Sequence, residues 1–122
     1  MQISPEAMAQ YRKNARLRWE REQAQRESRR EQAWQLARQA ADLLRQDFDV
    51  TRVIIFGSLL HPDRFSLHSD VDLAAWDLTS KNWLKAMAAV RYLSADIELN
   101  LVDVGCCSPE LLAAIEREGA PV

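Results

Sequence analysis

Two aspartates one residue apart stand in the run Ser69-Asp70-Val71-Asp72-Leu73. In an extended strand alternate side chains share a face, so both carboxylates point one way while Val71 and Leu73 point the other. Like charges so placed repel, and a cation between them relieves the repulsion. Hard oxygen ligands suit Mg²⁺, which takes one or two carboxylates together with substrate phosphates. Upstream, Val53-Ile54-Ile55-Phe56 reads as a buried strand that stops at Gly57-Ser58. A glycine and a small hydroxyl residue at that point let backbone amides and the Ser58 side chain approach a phosphate closely. The combination points to nucleotide chemistry.

Gly57-Ser58 followed, after a polar loop, by Ser69-Asp70-Val71-Asp72-Leu73 resembles the G-S…D-x-D signature of the nucleotidyltransferase superfamily with the DNA polymerase beta-like fold. In size the chain resembles its small members, the minimal nucleotidyltransferases. The resemblance covers residues 48 to 122, taking in a helix after the D-x-D strand, a third strand near Ile97 to Val104 and a last helix ending at Gly119. The second glycine usual in that signature is absent from LLHPDRF. The resemblance implies an α/β (α+β) fold: a small mixed sheet packed by helices, here preceded by a long N-terminal helix.

It also implies Mg²⁺-dependent transfer of a nucleoside monophosphate, AMP from ATP, to an acceptor hydroxyl. In the two-ion form of that chemistry three carboxylates hold two cations. Asp70 and Asp72 supply two, with Gly57, Ser58, Ser69 and Arg64 on the nucleotide. An ungapped match of the family's third carboxylate strand to Leu99-Asn100-Leu101-Val102-Asp103 puts Asn100 in the third position. Asparagine is no base and a poorer ligand, whereas Glu98, on the same face by parity, is long enough to reach across. Glu98 is therefore the expected third catalytic and metal-binding acid. If it does not serve, the two-ion site is incomplete and the chain is a degenerate fold that binds nucleotide or partner. Minimal members resemble antitoxins that pair with a small helical HEPN-type toxin, some by attaching AMP to it.

The elements that must position these groups are legible in outline. Ser4-Pro5-Glu6 is a helix start, and no Gly or Pro follows until past Gln46. Residues 1–46 form a helical segment and 47–122 the transferase-like domain. Apolar residues are sparse from Tyr11 to Gln32, so that half either projects to meet another subunit or a partner, or bends back near Ser28. From Ala33 onward Trp34, Ala37, Ala41 and Leu44 make a stripe at helical spacing that should pack on the sheet. Asp47-Phe48-Asp49 turns into the first strand. Trp83, Met87 and Val90 recur at helical spacing as core anchors. In residues 96–104, Ile97, Leu99 and Leu101 share the buried face of a strand. Trp76 either stacks on a base or closes the sheet edge, and His61 and His68 read as solvent-exposed loop residues.

Bulk properties exclude several classes. The chain has 122 residues and a net charge of -2, split between ten Lys/Arg against six Asp/Glu in residues 1–46 and six against twelve beyond. Acids interleaved with the arginines weaken a phosphate-seeking field, so nucleic acid is an unlikely partner. A homo-oligomer or a helical partner protein held through the first helix fits better. No apolar run approaches the ~20 residues of a membrane span, and the expected location is the cytoplasm. Adjacent Cys106 and Cys107 match neither a disulfide framework nor a zinc site.

Overall fold

The computed structural model describes residues 2–122. Helix α1 runs from Pro5 to Phe48, 44 residues, or roughly 66 Å at helical rise. Its start is the one the sequence announces: the Ser4 hydroxyl accepts from the Ala7 amide at 3.1 Å, with Pro5 in the first turn. Its end comes two residues later than Gln46. Asp49 turns left-handed (φ 55°), and its amide and that of Val50 return to the Leu44 carbonyl. The bend considered near Ser28 does not occur; Ser28 lies inside one uninterrupted helix, which contains no Gly or Pro to break it.

Four strands follow in the order β3-β2-β1-β4: β1 Val53–Phe56, β2 Val71–Ala75, β3 Leu99–Asp103 and β4 Ala120–Pro121. β1 pairs antiparallel with β2 and β4, while β2 and β3 are parallel, joined through helix α2, Trp83–Arg91. Strand alternation divides the apolar residues between two faces. Val53, Ile55, Val71, Leu73, Leu99 and Leu101 meet Ala33 to Leu44 of α1 and Ala86 and Val90 of α2. Ile54 and Ala74 on the other face meet Ile115 of helix α3, Pro109–Glu118, with Leu111 and Leu112 half-buried beside them. The mixed α+β class with a long leading helix is thus what the structure shows. The core spans the 46/47 boundary, because the alanines of α1 are among its best-buried residues.

Trp83 departs from expectation. It is 38% exposed at the first turn of α2, and the stripe that packs is Ala86 and Val90, with Met87 and Leu93 half-buried. Spacing of i, i+4, i+7 marks one helical face but does not say which of two adjacent stripes faces the sheet. Trp76 is covered by Arg52, whose guanidinium carbon lies 4.1 Å from the ring centroid, and it packs in the α3 cluster. It follows β2 at the end away from Asp72, roughly 13 Å along the strand, so it closes the sheet. Both cysteines are free, and the Asp103 carboxylate pushes the Cys106 thiol up, away from a reactive thiolate. Among the described residues no helix is long and apolar enough to cross a membrane.

The first half of α1 is bare: Tyr11 and Trp19 are 69% and 60% exposed, whereas Ala37 has no exposed surface. Ala37→Leu should therefore cost about 1–3 kcal/mol by overpacking. Trp19→Ala should change stability by no more than about 0.5 kcal/mol. Urea midpoints of the two variants check both figures, and equal losses would contradict this division of the helix.

Candidate nucleotide site

The D-x-D pair lies at the start of β2, on the sheet face that α3 covers only at its other end. Phe56 of β1 and Asn100 of β3 stand opposite Asp72 on either side. β1 stops at Gly57, whose backbone (φ 83°, ψ -154°) side chains rarely adopt. A Cβ built there would come 2.7 Å from the Asp72 Oδ2. Glycine is thus required twice, by its dihedrals and by the carboxylate against it. Ser58 opens a single 3₁₀ turn to Leu60, so the corner and the Asp72 carboxylate form one patch.

The loop from Gly57 to Asp70 is braced rather than free. Leu59 and Phe65 are fully buried. The Ser69 hydroxyl accepts from the Ser66 amide at 2.9 Å, so it shapes the loop. Two successive arginines of α1 hold the ends: Arg30 Nε donates to the Leu59 carbonyl at 3.1 Å and Arg29 Nη2 to the Ser69 carbonyl at 3.1 Å. The Arg29 Nε is buried without a partner. Neither arginine stands out in the sequence, because nothing local marks an α1 side chain as reaching a loop forty residues away. Arg64 is exposed on the loop, where its backbone amide donates to the His61 carbonyl at 2.9 Å. His61 is half-buried and His68 exposed.

Asn100, not Glu98, occupies the place beside Asp72. Its Nδ2 donates to Asp72 Oδ1 at 3.4 Å, and its Oδ1 accepts from Arg91 Nη2 at 3.1 Å. Glu98 is tied instead to the same Arg91 nitrogen at 3.2 Å, with both side chains about half exposed. A guanidinium reaching the β3 edge from the end of α2 is a nearer partner for Glu98 than two carboxylates that repel it. Among the described residues no three of His, Cys, Asp and Glu converge as a metal-binding group. The oxygen ligands present, Asp70 and Asp72, match the one or two carboxylates that Mg²⁺ takes when substrate phosphates complete its shell, while Asn100 turns its amide nitrogen toward Asp72.

Arg29, His68, Asp70, Arg91, Asp96 and Glu98 line an open cleft of about 490 Å³ beside the pair. A larger hollow, about 730 Å³, lies elsewhere, between α1 at Arg26 and Trp34 and the loop at Pro62 and Asp63, and includes neither aspartate. Burial raises the Asp72 pKa above the ordinary carboxylate value; the Asn100 amide opposes this, and the charges of Asp70 and Glu98 add to it. A half-buried carboxylate left with one weak donor is a group that a cation would relieve.

No family model matches the sequence and no curated protein does. Chains from solved toxin–antitoxin complexes do match its structure. One, solved with AMP-PNP, is 20% identical with a TM-score of 0.58, covering 70% of this chain and 70% of that one. This is the minimal nucleotidyltransferase fold. A mutant of the toxin–antitoxin pair MntA-HpeT is 21% identical, with a TM-score of 0.56 over 70% of this chain and 69% of that one. The tri-AMPylated Shewanella oneidensis HEPN toxin in complex with MNT antitoxin gives 18% identity and a TM-score of 0.54, over 73% and 70%. At such identities the minimal nucleotidyltransferase likeness is one of fold.

Because the folded state raises the Asp72 pKa, this group favours folding below its unfolded value, and that help is lost as pH climbs through the raised folded value. Without divalent cations Asp72→Asn should thus be more stable than the natural chain at neutral pH. The gap should close by about pH 3, below the ordinary aspartate value. Urea midpoints across pH measure it; a variant less stable at neutral pH would refute the electrostatic account.

Proposed function

We propose that the chain is an antitoxin-type nucleotidyltransferase that binds Mg²⁺-ATP and moves AMP to a hydroxyl on a HEPN-type helical toxin. The observation that carries this reading is the contact between Gly57 and Asp72, which joins a phosphate-approach corner to the D-x-D pair in a single patch. The AMP-PNP in one structural neighbour, and the AMPylated HEPN toxin in another, support the donor and the acceptor class. Phosphates would lie against the Gly57-Ser58 backbone and the Ser58 hydroxyl, and Asp70 and Asp72 would hold the metal. Magnesium bound there supplies Lewis-acid stabilisation of the developing charge on the phosphate oxygens. The acceptor oxygen bonds to the α-phosphorus, the bond to the β-phosphate oxygen breaks, and pyrophosphate leaves. Asn100 cannot take the acceptor's proton; the Asp70 carboxylate, which borders the cleft, would take it as the base.

The exposed half of α1, with Tyr11, Leu17 and Trp19 uncovered, is the docking element, because a helix so poor in internal support gains stability by packing on another body. ATP as donor makes the cytoplasm the place of action. A second reading, a binding module that neutralises its partner by contact alone, is favoured by Asn100 standing where a carboxylate is expected and by Glu98 being paired with Arg91.

Incubation with α-labelled ATP, Mg²⁺ and the neighbouring gene's product separates the two. The transferase should label the partner, and Asp70→Asn or Asp72→Asn should reduce labelling at least a hundredfold, an order set by loss of about 3 kcal/mol of transition-state stabilisation. Undiminished labelling in both variants would defeat the site assignment. An unlabelled partner that still co-elutes, and is released when residues 5–28 are deleted, would establish the contact reading instead.

A further inference from the structure

Resting on the nucleotide-binding reading above, we propose that this site takes one divalent cation rather than two, and that Arg91, oriented by Asn100, carries the second positive charge against the nucleotide's phosphates. Three carboxylates hold two cations in the arrangement that the sequence resembles. Here the charges fall differently. Glu98 is paired with Arg91 at 3.2 Å, and Asp96 borders the cleft beside Arg29, which leaves Asp70 and Asp72 without a cationic side chain of their own among the described residues. Two free negative charges match one divalent ion, and the third strand position is the uncharged Asn100. The amide is turned so that its nitrogen serves Asp72 and its oxygen serves Arg91. An aspartate in that place would set a third charge against Asp72; the asparagine instead links the carboxylate on β2 to a guanidinium arriving from α2.

Arg91 has donors to spare. Its contacts to Asn100 and Glu98 both go through Nη2. Nη1 and Nε are therefore available to a phosphate, for which the planar fork suits two parallel bonds. Nη2 keeps Glu98 and Asn100 while the other nitrogens meet an incoming anion, so Glu98 stays paired and the charge count is unchanged. Arg91 also lines the cleft that Asp70 borders. A lysine there would offer a point charge without the fork and without the fixed tie to Asn100.

The test counts ions and measures affinity, independent of turnover. Mn²⁺ bound per chain is titrated by electron paramagnetic resonance in the presence of AMP-PNP, and AMP-PNP affinity is read by calorimetry at fixed Mn²⁺. The natural chain should bind one Mn²⁺. Arg91→Ala, at an exposed position, should melt unchanged and keep that one ion while its AMP-PNP affinity falls roughly tenfold, the scale of one lost charge-assisted bond. Arg91→Lys should recover only part of the loss. Asn100→Asp should bind a second Mn²⁺, seen both in the titration and as a larger rise in melting temperature on adding the metal. Two ions in the natural chain, or unchanged affinity in Arg91→Ala, would overturn this proposal while leaving nucleotide binding intact. No AMP-PNP bound at all would overturn the reading beneath it as well.

Discussion

The contact on which the rest depends is the packing of the Asp72 carboxylate against a residue that has no side chain. Gly57 ends β1 in a conformation open mainly to glycine, and the space its Cβ would fill holds an Asp72 oxygen. For that contact to exist β2 must return antiparallel with Asp72 opposite Phe56, and the intervening loop must close over its own anchors, Leu59 and Phe65. Arginines from α1 bind the carbonyls near both ends of the loop, so the helix is part of the site's scaffold as well as its covering layer. The sheet face beneath is sealed by small residues, and Ala37, Ala40 and Ala41 let the helix lie close on the strands.

Local pattern and long reach were unequally readable. The apolar run before Gly57, the alternation through Asp70 and Asp72, and the capping residue Ser4 each act on their immediate neighbours, and each appears where the sequence puts it. The third strand position was readable to the residue: strand register is periodic, so an ungapped match places Asn100 opposite Asp72. What parity could not decide was whether a longer acid two residues earlier would bend toward the pair. That depends on Arg91, which lies on another element and competes for Glu98. Arg29 and Arg30 were hidden for the same reason, since in sequence they are two more cations on a charged helix. Trp83 shows the converse error: of the three residues at that helical spacing Val90 and Met87 pack as read, while Trp83, in the first turn, stays partly exposed.

Electrostatics in the site follow from this competition. A guanidinium that holds Glu98 and touches Asn100 sets a positive charge among these acids while Asp72 stays half-buried with one weak donor. Asp70, Asp96 and Glu98 line one cleft, yet among the described residues no three of His, Cys, Asp and Glu converge as a metal-binding group.

The unbroken course of α1 through Ser28 gives the molecule a mechanical property. A stiff rod free at one end and pinned at the other converts force on its tip into torque at the pin, and here the pins are Arg29 and Arg30. Force on the outer turns, about 36 Å from the clamp at helical rise, acts with leverage on the Leu59 and Ser69 carbonyls of the loop that follows Gly57. The outer half of the helix is thus a handle on the pocket.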